Sequence, residues 1–93
     1  LGAEQAEAWG LIWKCVDDDK LMAEADKLAM HFSTAPTKAL ARTKQALYAS
    51  SGNSLEQQLE LERISQRELG FGRDYREGVA AFLQKRPPQF KGR

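Results

Sequence analysis

The sequence predicts a mainly α-helical chain with about five helical segments and one short strand. Two observations predict this class. Apolar residues recur at helical spacing through most of the 93 residues, and Gly, Pro or Ser-Gly turns separate the helical stretches. Only one stretch, residues 11–16, is a short apolar segment of the kind that forms a strand, bounded by Gly10 and Asp17. The chain shows no internal repeat, no glycine-rich phosphate loop and no nucleophile motif.

The composition indicates a soluble globular protein. Hydrophobic residues make up 42% and charged residues 29% of the chain, which suits one small domain or part of a larger protein. A net charge of +1 gives no reason to expect nucleic acid as a partner. No apolar run is long enough to span a membrane, and the first residues do not form a signal peptide. The single cysteine, Cys15, favours a reducing, cytoplasmic setting. The absence of an initiating methionine favours a fragment or a processed product.

The first part of the chain predicts a short helix and then the strand. Residues 1–9 follow a helical pattern, and Gly10 is predicted to end it as a C-cap. Residues 11–16 form the predicted strand. A lone strand cannot satisfy its own backbone groups, and nothing else in the chain resembles its partner. The strand is therefore expected to pair with a second copy or with strands upstream in a longer protein.

The acidic run at residues 17–19 directly precedes a predicted helix at residues 20–33. Carboxylates at this place cap free amides and complement the helix dipole. A metal site is the competing interpretation, but no histidine or further acid stands at ligand spacing. The only histidine, His31, is predicted to be a solvated side chain. We therefore predict no metal site and no catalytic residue within the chain.

Two longer helices are predicted after the break at residues 35–36. The first runs to about residue 50. The second opens with a capping box formed by Ser54 and Gln57 and runs to about residue 69. Its apolar positions form two stripes, which predict contacts with neighbours on two sides, as in an assembly interface. The stripes are Leu55 with Leu59, and Leu61 with Ile64.

The last helix is predicted over residues 74–86. Asp74 and Glu77 match a capping box at its start, and Pro87 with Pro88 is predicted to stop it. Its apolar stripe is formed by three side chains at helical spacing: Val79, Phe82 and Leu83.

The end of the chain is basic and aromatic. Four cations and no acid follow Gly78, and Phe90 lies among them. This pattern suits a polyanionic ligand with a ring that can stack. A solvated helix with a basic tail is the other interpretation.

Two stretches carry a family resemblance. The first is Ala-Glu-Gln-Ala followed by Trp-Gly-Leu-Ile within residues 3–12. The second is Asp-Tyr-Arg-Glu-Gly-Val-Ala-Ala-Phe-Leu-Gln-Lys-Arg-Pro-Pro-Gln-Phe at residues 74–90. With the acidic turn and the Ala-Pro helix between them, they resemble the C-terminal third of the enoyl-CoA hydratase/isomerase (crotonase) superfamily. Details at Trp13, residues 75–76 and residues 88–90 are similar to the isomerases of phenylacetate degradation.

The resemblance implies a fold and an assembly. Residues 1–35 would be the last unit of the crotonase spiral core, which supplies neighbours for the predicted strand. Residues 36–93 would be the C-terminal helical segment that builds homotrimers, often paired into hexamers. The family's oxyanion hole consists of backbone amides, which stabilise an enolate of the acyl-CoA thioester. Those amides and the proton-transferring carboxylates lie upstream of the matched part, so the resemblance implies that this chain alone is inactive.

The resemblance also implies a ligand contact. In the family, an aromatic residue and a lysine of the final helix approach the adenine and 3′-phosphate of CoA, which is held mainly by a neighbouring subunit. Phe82 and Lys85 match these positions. Phe82 as a core residue and Lys85 as a solvated cation are the alternatives. Acyl-CoA is then the substrate, with no separate cofactor. A free-standing helical self-assembly or protein-interaction module is the alternative function.

Overall fold

The computed structural model describes all 93 residues and contains five helices and no strand. The helices are α1 (Ala3–Ala8), α2 (Leu21–Ser33), α3 (Thr37–Ser50), α4 (Leu55–Gly70) and α5 (Arg73–Leu83), with a 3₁₀ turn at Asp18–Lys20. The predicted mainly helical class is confirmed. No helix is both long enough and apolar enough to cross a membrane.

The chain divides into two units, Leu1–Met30 and His31–Arg93. The division predicted from the resemblance, into residues 1–35 of a spiral core and residues 36–93 of a trimerisation segment, stays a prediction.

In the first unit, α1 ends at a glycine as predicted. Gly10 has a left-handed φ of 73°. Its amide donates to the Glu7 carbonyl at 2.9 Å, and the Leu11 amide donates to the Ala6 carbonyl at 2.9 Å. These two bonds form a Schellman motif, in which a residue without Cβ adopts the left-handed position at little cost.

The strand predicted at residues 11–16 is wrong for this chain, which contains no strand. Its backbone makes two bonds, from the amides of Leu11 and Ile12 to the same Ala6 carbonyl, at 2.9 and 3.4 Å. The physical reason is that a strand requires a neighbouring strand, and none of the 93 residues provides one. The segment also carries the Lys14–Glu24 ion pair, whose N–O distance is 2.7 Å.

The acidic run does not cap α2 through its first side chain. Asp17 precedes the 3₁₀ turn without a side-chain capping bond, and its carboxylate instead pairs with the Lys20 ammonium at 2.5 Å. Asp18 and Asp19 lie in the first turn, where their charge still complements the helix dipole. The prediction of charge at the helix start is confirmed, but the predicted cap is wrong for Asp17, whose carboxylate accepts no hydrogen bond from a backbone amide of the turn.

In the second unit, α3 and α4 form an antiparallel pair. The carboxylate of Glu68, near the end of α4, accepts from Lys38 at 2.9 Å and from Arg42 at 2.7 Å near the start of α3. At the opposite end, the Gln58 side-chain amide donates to the Ala46 carbonyl at 3.3 Å. The helix α4 also contacts α5. Through these contacts α4 lies between its two neighbours in sequence.

The predicted capping box at the start of α4 is confirmed. The Gln57 amide donates to the Ser54 hydroxyl at 3.3 Å, and the Ser54 amide donates to the Gln57 side chain at 2.9 Å. This reciprocal pair fixes the first turn of the longest helix.

The chain buries very little apolar surface. Only Ala6 and Ala81 are buried. On α4, Leu55, Leu59 and Ile64 are exposed, and Leu61 is half-buried. Most side chains of the two predicted stripes are therefore not buried against other residues of the chain.

Candidate functional site

The start of α5 does not have the predicted capping box. The helix begins at Arg73, and Gly72 precedes it with no side-chain cap. The carboxylates of Asp74 and Glu77 bind residues that follow the helix instead, because the returning chain offers amides and a guanidinium to them. We name residues 84–93 the C-terminal strap.

Asp74 holds the far end of the strap. Its two carboxylate oxygens accept from the amides of Lys91 at 2.7 Å and Gly92 at 2.8 Å. Its own amide donates to the Arg93 carbonyl at 2.9 Å. The start of α5 and the end of the chain are thus joined by three hydrogen bonds, two to the Asp74 carboxylate and one between backbone groups.

Glu77 holds the near end of the strap. Its carboxylate accepts two bonds from the Arg86 guanidinium, at 2.6 and 2.9 Å, and one from the Gln89 amide at 2.8 Å. Bidentate pairs of this kind are charge-assisted and geometrically specific. The Arg86 guanidinium, followed by the Gln89 amide, lowers the pKa of Glu77 from 4.5 to about 2. One of the four cations of the basic tail is therefore paired internally.

Two glycines lie where the strap meets its neighbours, and at one of them, Gly92, a Cβ would clash. A Cβ on Gly78 would lie 3.6 Å from the Phe90 ring, so this ring packs over the α5 backbone. Gly92 has a φ of 74°, and a Cβ there would overlap the Thr37 hydroxyl at the start of α3. The strap is therefore seated against both α5 and α3.

An apolar groove of about 530 Å³ lies between the strap, α5, the end of α4 and the start of α3. The predicted α5 stripe is confirmed, because Val79, Phe82 and Leu83 all line this groove. Other lining residues include Pro36, Ala39, Leu69, Tyr75 and Phe90. The Phe82 side chain is 83% exposed, so within this chain it is a surface aromatic and not a core residue.

Lys85 occupies the left-handed position at the end of α5. The helix ends at Leu83, three residues earlier than predicted. The Lys85 amide donates to the Phe82 carbonyl at 3.2 Å and the Arg86 amide to the Ala81 carbonyl at 3.0 Å, which is again a Schellman motif. Lys85 has a φ of 53° and is the only non-glycine residue with a positive φ. Its ammonium group belongs to none of the ion pairs of the chain.

The structure thus brings the two predicted site residues to the same end of α5. Phe82 lines the groove and Lys85 starts the turn beside it, both exposed to solvent. Contact of either residue with a ligand stays a prediction. Sequence reasoning missed the roles of Asp74 and Glu77, because a local capping pattern and a long-range anchor use the same residue types.

The structure offers no metal centre. No group of three or more histidine, cysteine, aspartate or glutamate side chains is placed to hold a metal ion. The single histidine, His31, is exposed, and its ring centroid lies 5.6 Å from that of Phe32 in an edge arrangement. The features that this end of α5 presents to a ligand are an apolar groove, the exposed Phe82 ring and the Lys85 cation.

Comparison with known proteins gives consistent results along the whole chain. The sequence profile of the enoyl-CoA hydratase/isomerase family matches residues 1–93. The chain is 53% identical to 1,2-epoxyphenylacetyl-CoA isomerase of Escherichia coli and 46% identical to a probable enoyl-CoA hydratase of Rhodobacter capsulatus. Both matches cover 100% of this chain and 36% of the relative.

Solved structures agree. A crystal structure from Mycobacterium abscessus, described as an enoyl-CoA hydratase/isomerase, superposes with a TM-score of 0.96 at 34% identity. That match covers 100% of this chain and 36% of the other. The chain therefore spans about a third of the length of the relatives that it matches.

Proposed function

The chain belongs to the enoyl-CoA hydratase/isomerase family, and we propose that it forms the C-terminal part of an acyl-CoA isomerase or hydratase. In this role it contacts CoA and neighbouring subunits, and it contributes no catalytic group. The observation that supports the CoA contact most directly is the pairing of an exposed aromatic, Phe82, with an unpaired cation, Lys85, at one end of α5.

The chemistry of this pair fits the nucleotide end of CoA. The adenine ring stacks on the Phe82 ring. Such stacking is favourable for any base, because every base has a π-face. The Lys85 ammonium attracts the 3′-phosphate as a point charge. Because these contacts are far from the thioester, they act on ground state and transition state alike.

The unused apolar surface supports the assembly part of the proposal. The chain exposes 7882 Å², roughly 2,500 Å² more than the roughly 5,400 Å² expected of a folded monomer of its mass. This excess is of the size found in obligate interfaces. Subunits and upstream residues of the complete protein would cover it in a homotrimer or hexamer.

Within the family, the function that we propose is isomerisation in phenylacetate degradation. The supporting observation is the 53% identity to a relative named 1,2-epoxyphenylacetyl-CoA isomerase. The catalytic groups that determine isomerase or hydratase activity are expected outside these residues. This part of the proposal therefore depends on the sequence identity to that relative.

A free-standing helical self-assembly module is the second candidate. The exposed Leu55, Leu59 and Ile64 of α4 favour self-association, but this candidate requires no CoA dependence. Binding of CoA at Phe82 and Lys85 separates the two.

Lys85→Ala in the complete protein tests the CoA contact. We expect the KM for the acyl-CoA substrate to rise about fivefold, the effect of losing about 1 kcal/mol of exposed charge attraction. We expect kcat to stay unchanged, because uniform binding is lost. The same variant should leave the KM of the 3′-dephospho-CoA ester unchanged. A drop in kcat at constant KM would contradict the assignment.

A further inference from the structure

Lys85 has a backbone conformation that its residue type disfavours. A side chain with a Cβ is crowded at positive φ, which is why glycine usually fills this position. Lys85 nevertheless has a φ of 53°. Such an outlier persists only where surrounding contacts determine it, and it often marks a functional position.

The contacts lie on the residues that follow Lys85. The Arg86 backbone is bonded to the Ala81 carbonyl at 3.0 Å, and its guanidinium is bonded twice to Glu77, at 2.6 and 2.9 Å. The same carboxylate holds the Gln89 amide at 2.8 Å. Lys85 itself makes only the backbone bond to Phe82. The backbone conformation of Lys85 is thus set by the bonds of the residues that follow it and not by contacts of its own side chain.

We infer that Glu77 is a positioning residue for Lys85: by fixing Arg86 and Gln89 it holds the turn that carries Lys85, whose ammonium makes no ion pair within the chain. This inference rests on the proposed CoA contact of Lys85. The cation is then presented before the ligand binds, and little ordering is needed on binding. A flexible basic tail would have to order at that moment.

The geometry separates this role from a general structural one. Glu77 does not line the apolar groove, and the far end of the strap has its own anchor in Asp74, through the Lys91 and Gly92 amides. Loss of the Glu77 charge should therefore loosen the turn around Lys85 while the groove and the Phe90 end remain in place. Its effect on binding should pass through Lys85 alone.

The experiment measures the Kd of CoA and of 3′-dephospho-CoA by calorimetry on the complete protein. The variants are Glu77→Gln, Lys85→Ala and the double variant. Glu60→Gln is the matched control, because Glu60 makes the same bidentate bond to Arg63, at 2.7 and 2.7 Å, without holding any strap residue. Arg86→Lys keeps the charge but removes the planar fork, and it serves as the second variant if Glu77→Gln does not fold.

We expect Lys85→Ala to weaken CoA binding about fivefold and Glu77→Gln or Arg86→Lys about threefold. In the Lys85→Ala background, Glu77→Gln should add nothing, because coupled residues are non-additive. Glu60→Gln should have no effect, and the Kd of 3′-dephospho-CoA should stay constant throughout.

Three results would overturn the inference in distinguishable ways. If Lys85→Ala weakens CoA binding but Glu77→Gln and Arg86→Lys do not, Glu77 has no positioning role and the proposed contact stands. If Glu77→Gln weakens both ligands equally, or acts fully in the Lys85→Ala background, its role is structural only. If Lys85→Ala leaves the Kd of CoA unchanged, the proposed contact itself is wrong and the inference fails with it.

Discussion

The helices α1 and α5 end in the same backbone motif but carry different residues at its left-handed position. The amide two residues past the helix cap bonds back to a carbonyl in both, from Leu11 to Ala6 at 2.9 Å and from Arg86 to Ala81 at 3.0 Å. Gly10 has the left-handed φ in the first, at 73°, and Lys85 in the second, at 53°. At the first end the residue type suits the backbone. At the second it does not, because a Cβ is crowded at positive φ.

The segments that follow these two helices differ in how many hydrogen bonds hold them to the rest of the chain. After α1, the backbone of residues 11–16 makes only two bonds, both from its first two residues to Ala6. After α5, the strap bonds to Asp74 and Glu77 through three amides and one guanidinium. The strap is organised by this chain, whereas residues 11–16 lack the neighbours that an extended segment needs.

The largest expected effect is that of Gly92→Ala. Its Cβ would overlap the Thr37 hydroxyl, and its φ is 74°. We expect the free energy of opening the strap to fall by about 2 kcal/mol. Hydrogen exchange at the Lys91 and Gly92 amides should then be about thirtyfold faster. Removing the hydroxyl in a Gly92→Ala/Thr37→Ala double variant should recover part of the loss. Equal exchange in Gly92→Ala and the parent protein would show that the strap is not seated on Thr37.

Gly10→Ala should have a smaller effect, although Gly10 has nearly the same φ of 73° and open space around its Cα. Only the backbone strain remains, which costs about 1 kcal/mol. Exchange at the Leu11 amide should accelerate about fivefold. Gly2→Ala, at an ordinary φ of −75° with nothing nearby, should leave exchange unchanged. An effect of Gly10→Ala as large as that of Gly92→Ala would remove the distinction between the two sites.

Lys85→Gly should separate stability from binding. The change relieves the positive φ at Lys85 but adds freedom to the unfolded chain, so we expect stability to rise by about 0–1 kcal/mol in denaturant unfolding. CoA binding should weaken as in Lys85→Ala. A clear loss of stability would mean that the lysine makes a structural contribution, and unchanged CoA binding would remove its proposed role.

The smallest expected effect is that of mild acid on the near end of the strap, where hydrogen-exchange protection should change little between pH 7 and pH 5. The pKa of Glu77 is lowered from 4.5 to about 2 by Arg86 and the Gln89 amide. A lowered carboxyl pKa stabilises the folded form above the unfolded value, and this stabilisation is lost as pH falls from about 4.5 through about 2. Protection of the Gln89 amide should therefore persist at pH 5 and decline towards pH 2. Loss of protection already between pH 7 and pH 5 would contradict the Glu77 anchor.

Local signals in the sequence predicted much of the fold. The Gly10 end of α1, the Ser54–Gln57 capping box and the α5 stripe each depend on residues within a few positions of one another. These features are present in the structure because short-range chemistry determines them. The predicted site residues Phe82 and Lys85 are both exposed at the end of α5, and their contact with a ligand stays a prediction.

The errors have a common cause, which is that the competing interaction was long-range. Asp74 and Glu77 fit a capping pattern, yet they bind strap residues as many as 18 positions later. Residues 11–16 have strand composition, but composition supplies no partner strand. The left-handed Lys85 had no signal at all, since neither glycine nor asparagine marks the position.

The most direct test of the central claim is a titration of CoA against the complete protein with selectively labelled residues at both helix ends. Resonances of Phe82 and Lys85 report on the end of α5, and those of Trp9 and Trp13 report on the end of α1. We expect CoA to cause saturable shifts at Phe82 and Lys85, and 3′-dephospho-CoA to cause none at Lys85. The two tryptophans, which do not line the groove, should show no shift. Unchanged Phe82 and Lys85 resonances at saturating CoA would contradict the proposed CoA contact.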